Sequence, residues 1–207
     1  MVGAVISKPP HLIVMTYKII QPPFTLKFSE MSRQELVDYA VWFHGIIDDR
    51  IAELEAAVRE TPSYGSWTAT VKTVSLETLG EWFAGEVKTR PRTPGEMTEL
   101  KSRGDLLLSV PEIELTNRSF SLAIDVGMYV ARIFERSYQE LSWTQFLDNK
   151  RFADYGQPVL TGFGPVPLNP IRIALTLAYG IAAGKQTGNR LMEIFDYWSK
   201  QVGKRKH

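Results

Sequence analysis

Residues 154–183 constrain this fold more than any other stretch of the 207-residue chain. Residues 158–163 read as an apolar strand, and Gly162, Gly164, Pro165 and Pro167 shape the turn that follows. Asn169-Pro170 then starts a helix. An asparagine side chain at the N-cap accepts from an orphaned backbone N–H, and proline at the first helical position loses nothing by lacking its own. Residues 171–183 are apolar on most faces, and Gly184 supplies the left-handed stop. Almost none of these residues is reactive. Their role is architectural, which favours binding over catalysis.

Other elements follow from local signals. Ser32 and Glu35 form a capping box that opens a helix running to about Arg59. Leu36, Phe43, Ile47, Leu54 and Val58 recur along it at helical spacing. Thr61-Pro62 ends it, because proline disfavours helical geometry in the residue before it. Ser75 is placed to cap a second helix carrying Leu76, Leu79, Phe83 and Val87. A third begins at 116–119 and is apolar nearly all round, which places it centrally. Leu191, Ile194, Phe195, Trp198 and Val202 form a last amphipathic helix. Strands are expected at 12–20, at 24–28 from strict alternation, and at 141–147 paired with 158–163. The fold class is therefore α+β, a helix-rich single domain with a small antiparallel sheet. Residues 1–23 read as an N-terminal extension with the first strand, with Met15 as an alternative natural start. Residues 24–203 form the domain, with a mobile surface segment at 88–105, and 204–207 are a basic tail.

Charge and composition exclude several classes. Lys and Arg total 24 against 23 Asp and Glu, so no broad positive field is available for nucleic acid or an anionic membrane. With no cysteine there are no disulfides, thiolate nucleophiles or zinc–thiolate sites. The apolar run at 11–20 is far short of the roughly 20 residues of a membrane helix. It also lacks the pattern of a secretory signal. A cytoplasmic location is expected.

Candidate chemistry is sparse. His44 and Asp48 lie one helical turn apart, with Asp49 beside them, so a base–orienter pair is conceivable. A solvated contact on a helix flank gives the same pattern, and no second histidine is placed to complete a metal site. There is no nucleophile elbow, no phosphate loop at Gly162 and Gly164, and no dinucleotide fingerprint. No metal or cofactor is expected. Asp125, on a largely apolar helix, must find a partner, because an unpaired buried charge is very costly. With Tyr129 and Asn169 it reads as part of a structural polar network, closed from the loop by Tyr155 and Gln157. The alternative is that Asp125, Tyr129, Asp154 and Tyr155 line a pocket. Tyr155, with Asp154 and Gln157, and the loop aromatics Tyr64 and Trp67 are candidate binding residues, since exposed loop aromatics commonly anchor interfaces.

The runs LTNRSFSLAIDVGMYVARIFER, LSWTQFL and ADYGQPVLTGFGPVPLNPIRIALTLAYGIAAGK resemble an uncharacterised family of small bacterial cytoplasmic proteins. Asp125, Gly127, Tyr129, Trp143, Gly156-Gln157-Pro158 and Asn169-Pro170 would be its characteristic positions. The resemblance carries no catalytic motif. Some proteins of this general kind look like immunity proteins, which neutralise a toxin by direct binding, and the resemblance so implies a protein partner. The expected function is a non-catalytic protein-binding factor, with a small hydrolase or transferase using His44 with Asp48 or Asp49 as the alternative.

Overall fold

A computed structural model describes residues 17–102 and 112–203. The expectations for 1–16, 103–105 and 204–207 lie outside the described residues. The chain is a helix-rich α+β domain. Helix α1 (Arg33–Glu60) carries the complete capping box: Glu35 N–H donates to Ser32 Oγ at 3.2 Å and Ser32 N–H donates to Glu35 Oε2 at 2.7 Å. Those bonds hold the Glu35 carboxyl below its ordinary pKa. A 3₁₀ turn at Pro62–Tyr64 follows the break at Thr61.

Helix α2 spans Ser75–Glu86, but Ser75 does not cap it. Val74 holds the cap position, and the Ser75 hydroxyl turns inward to Lys72 O and to the Tyr129 hydroxyl. The buried tyrosine outcompetes the helix end for that hydroxyl. Strand β1 (Thr89–Pro91), helix α3 (Pro94–Ser102) and strand β2 (Ile113–Leu115) come next. The stretch expected to be a mobile surface segment therefore carries regular structure as far as residue 102. β1 pairs antiparallel with β2, Arg90 opposite Glu114. Arg90 also grips Glu96 on α3 at 2.6 Å, and that bond holds the Glu96 carboxyl near 2.

Helix α4 (Asn117–Ser137) is the centre, capped by Thr116, whose side chain accepts from Ser119 N–H. Every residue from 121 to 131 is buried. Fully buried Leu122, Ile133 and Phe134 each contribute about 1.5–3 kcal/mol through burial alone. Strands β3 (Ser142–Gln145) and β4 (Pro158–Thr161) pair antiparallel, Ser142 opposite Thr161 and Gln145 opposite Pro158. Helix α5 (Pro170–Ala182) starts at Asn169, whose Oδ1 accepts from Arg172 N–H at 2.9 Å. Its first turn packs onto Gly127 of α4, where a Cβ would lie 2.8 Å from Pro170 O. Any side chain at 127 pushes the two helices apart. Helix α6 (Arg190–Ser199) closes the domain against α2.

The strand expected at 24–28 is absent, and the described part of the one expected at 12–20, residues 17–20, is not strand. Residues 17–28 form no strand; they run as a strap over α1 and α4. Phe24 and Phe28 sit edge-on to Tyr39 at 5.6 and 5.0 Å. Alternation reports that every second residue faces something, and a strap laid over a helix satisfies that as well as a sheet does. Leu26 adopts φ 56, which a β-strand cannot contain.

Candidate functional site

The polar interior divides into separate clusters rather than one network. Asp125 is fully buried on α4 and meets Arg50 of α1 through two bonds, Nε to Oδ1 at 2.8 Å and Nη2 to Oδ2 at 2.6 Å. Tyr17 donates its hydroxyl to the same carboxylate and lies 2.7 Å from Ser121 Oγ. Arg50 also donates to Lys18 O at 2.8 Å, and Ile20 N–H donates to Ser121 Oγ at 2.8 Å. The strap, α1 and α4 are thus tied at one point. Burial pushes the Asp125 carboxyl up to about 6, opposed by the Arg50 guanidinium. Burial opposes the Arg50 charge too, but Asp125 outweighs it and the guanidinium pKa rises. Burial and the neighbouring carboxylate drive the Tyr17 phenol far above its usual range.

Asp125 therefore has its partner, but the loop at 154–157 does not supply it. Tyr17 and Arg50 do, and neither was singled out from the sequence. A signal for Arg50 existed: it falls on the buried stripe of α1 between Ile47 and Leu54. Nothing comparable marks Tyr17. Tyr129 belongs to a different cluster, its hydroxyl 2.7 Å from Ser75 Oγ and accepting from Val71 N–H at 3.2 Å.

The third cluster is at the start of α5. Asn169 Nδ2 donates to Asp154 Oδ1 at 2.7 Å and to Gln157 Oε1 at 2.9 Å, and Arg172 pairs with Asp154. Asp154 and Gln157 thereby lock their own loop onto the helix. Tyr155 and Trp67 were expected to be exposed, and both are buried, at 8% and 6% exposure. Tyr155 packs with Leu36 and Met31, its ring 5.9 Å from Lys150 Nζ at the edge of a shallow polar groove. Trp67 donates to Ser75 O at 3.2 Å and lies against Tyr129. Tyr64 is half-buried.

His44 is exposed on α1 with its ring edge-on to Phe43 and Trp143, and that partial desolvation lowers its pKa. Asp48 is paired with Arg132 at 2.5 Å and Asp49 is exposed. Among the described residues His44 makes no hydrogen bond to a carboxylate. It does not line the polar groove beside Tyr155. Among the described residues no three His, Asp or Glu side chains cluster to hold a metal ion.

Two further concave features stand out among the described residues. A cavity of about 180 Å³ lies under the strap, walled by α1, α4 and α5. A wider groove of about 480 Å³ runs between α5 and α6. Its floor is Ile173, Leu177, Ile194 and Trp198, and its rim carries Arg172, Lys185, Arg190 and Tyr197. Tyr197 is 60% exposed. Arg172 and Arg190 are tied to Asp154 and Glu193, while Lys185 makes no ion pair among the described residues. No described helix is long and apolar enough to cross a membrane.

Comparison with family models, with curated proteins and with solved structures yields no significant match.

Proposed function

We propose that this chain is a non-catalytic protein-binding factor that docks its partner in the α5–α6 groove. One observation carries the reading: the groove combines an apolar floor with an exposed Tyr197, a Trp198 and a basic rim. Tyr, Trp and Arg are the residues enriched at the cores of protein interfaces. The groove's apolar floor and basic rim fit a partner segment that is apolar on one side and acidic on the other. Its lining contains no carboxylate, histidine or serine for acid–base or nucleophilic work. In its most specific form the reading is that of an immunity protein covering a toxin.

The test is site-specific photocrosslinking from position 186, where exposed Gln186 lines the groove, in the native host, followed by quantitative recovery of the adduct. A single protein in stoichiometric yield is expected, with loss of recovery in Tyr197→Ala combined with Lys185→Glu. Val41→Ala on the far surface of α1 should leave it intact. If the captured protein is a toxin, co-expression of the unmodified chain should relieve its toxicity and the double variant should not. Recovery that is indifferent to the groove substitutions, or no stoichiometric adduct at all, would sink the docking reading.

A further inference from the structure

The cavity beneath the strap is a different kind of space from the groove. Its walls include Tyr39 and Trp42 from α1, Met128 from α4 and Leu175 from α5, and no charged side chain lines it. At about 180 Å³ it is close in size to the ~150 Å³ apolar cavity that takes up benzene. Tyr39 and Gln157 bring polar groups to this wall with hydrogen-bonding capacity to spare. Tyr39 is 8% exposed, and its hydroxyl makes no hydrogen bond among the described residues. Gln157 spends its Oε1 on Asn169, while its Nε2 reaches only Ala153 O at 3.5 Å.

We propose that this cavity binds a small neutral molecule, a single aromatic ring bearing one hydrogen-bonding oxygen. The ring would lie among Trp42, Met128 and Leu175, where edge-on aromatic and sulfur contacts are favourable. The oxygen would accept from Gln157 Nε2 and bond the Tyr39 hydroxyl, replacing solvent at both groups. A charged ligand is disfavoured, because the walls offer no countercharge. Burial also raises the Tyr39 phenol pKa, so the hydroxyl stays protonated and able to donate. Entry is at the strap. A shallower groove of about 310 Å³ shares Ile20, Pro22 and Leu26 with the cavity and opens beside Phe120, which is 36% exposed. Leu26 holds φ 56 at that junction, the kind of backbone strain found at ligand clamps. None of this depends on a protein docking at α5–α6.

The test is titration of the full chain with 4-fluorophenol, followed by fluorine NMR, with fluorobenzene as the probe lacking an oxygen. Saturable 1:1 binding of 4-fluorophenol is expected. Leu175→Trp fills the cavity from a half-buried position, so it should abolish binding of both probes while far-ultraviolet circular dichroism stays unchanged. Tyr39→Phe keeps the ring and should weaken 4-fluorophenol by about tenfold, the scale of one net hydrogen bond, with fluorobenzene unaffected. Loss in Leu175→Trp without any effect of Tyr39→Phe would support the cavity and overturn the hydrogen-bonding role. Unsaturable binding to the unmodified chain, or saturable binding that survives both substitutions, would overturn the site itself.

Discussion

Asp125 and Asp154 are both buried carboxylates answered by an arginine, yet their partners come from very different distances along the chain. Asp125 draws Arg50 from 75 residues away and Tyr17 from 108. Asp154 is held by Asn169, only 15 residues on, and by Arg172 in the following turn. The Arg50 side chain is 11% exposed, whereas that of Arg172 is 42% exposed. One cluster therefore fixes how three distant pieces of chain sit together in a water-excluded interior. The other shapes a single loop and its helix where solvent still screens the charges. Identical chemistry does unequal work because burial and contact distance differ.

The largest expected effect separates the two directly. Asp125→Ala strands a buried guanidinium and should cost about 3–5 kcal/mol in denaturant unfolding. Arg50→Met combined with Asp125→Leu removes both charges and should recover most of that loss, because desolvation of the pair offsets much of its attraction. A double variant no more stable than Asp125→Ala would mean the pair is a net stabiliser.

Next comes pH. Burial moves the Asp125 carboxyl from its ordinary 3.8 to about 6, so the folded chain holds the proton more tightly than the unfolded one. The stability this contributes is fully present below about pH 4 and is lost as pH rises through about 6. The unfolding free energy of the unmodified chain minus that of Asp125→Asn should fall across this window. A flat or rising difference would place the folded pKa at or below the unfolded one.

The loop cluster should respond more weakly. Asn169→Ala removes a helix cap and its bonds to Asp154 and Gln157, and should cost about 1 kcal/mol, read as a shift in denaturation midpoint at constant slope. Arg172→Ala should cost no more than about 1 kcal/mol and depend on salt, as expected for a pair open to solvent. If Arg172→Ala rivalled Asp125→Ala, the contrast between the clusters would collapse.

What could be read from the sequence follows the same division between near and far. The capping box of α1, the all-round apolarity of α4 and the Asn169-Pro170 start of α5 are local signals, and each marks a real element. The β3–β4 pair was legible because apolar runs and turn residues flank it. The β1–β2 pair was not, because its two three-residue strands are joined only by tertiary placement. Ser75 looked like a cap because the sequence does not show Tyr129 waiting 54 residues away. Asp125 announced that it needed a partner, but not which one. Tyr155 and Trp67 looked like surface aromatics because burial of a loop residue is decided by what folds over it. The cavity and the α5–α6 groove are spaces between elements, so no single stretch encodes them.

Tyr17 also bears on the segment ahead of α1. Its ring lies close to two guanidiniums, with Arg50 Cζ 5.3 Å and Arg118 Cζ 5.4 Å from the centroid, and its hydroxyl reaches Asp125. Tyr17 is therefore core material, although residues 18–30 between it and α1 are exposed or half-buried. A chain trimmed to start at residue 24 would keep every described helix and still lose the residue that closes its central charge cluster. Fusions and tags on this side belong upstream of Tyr17.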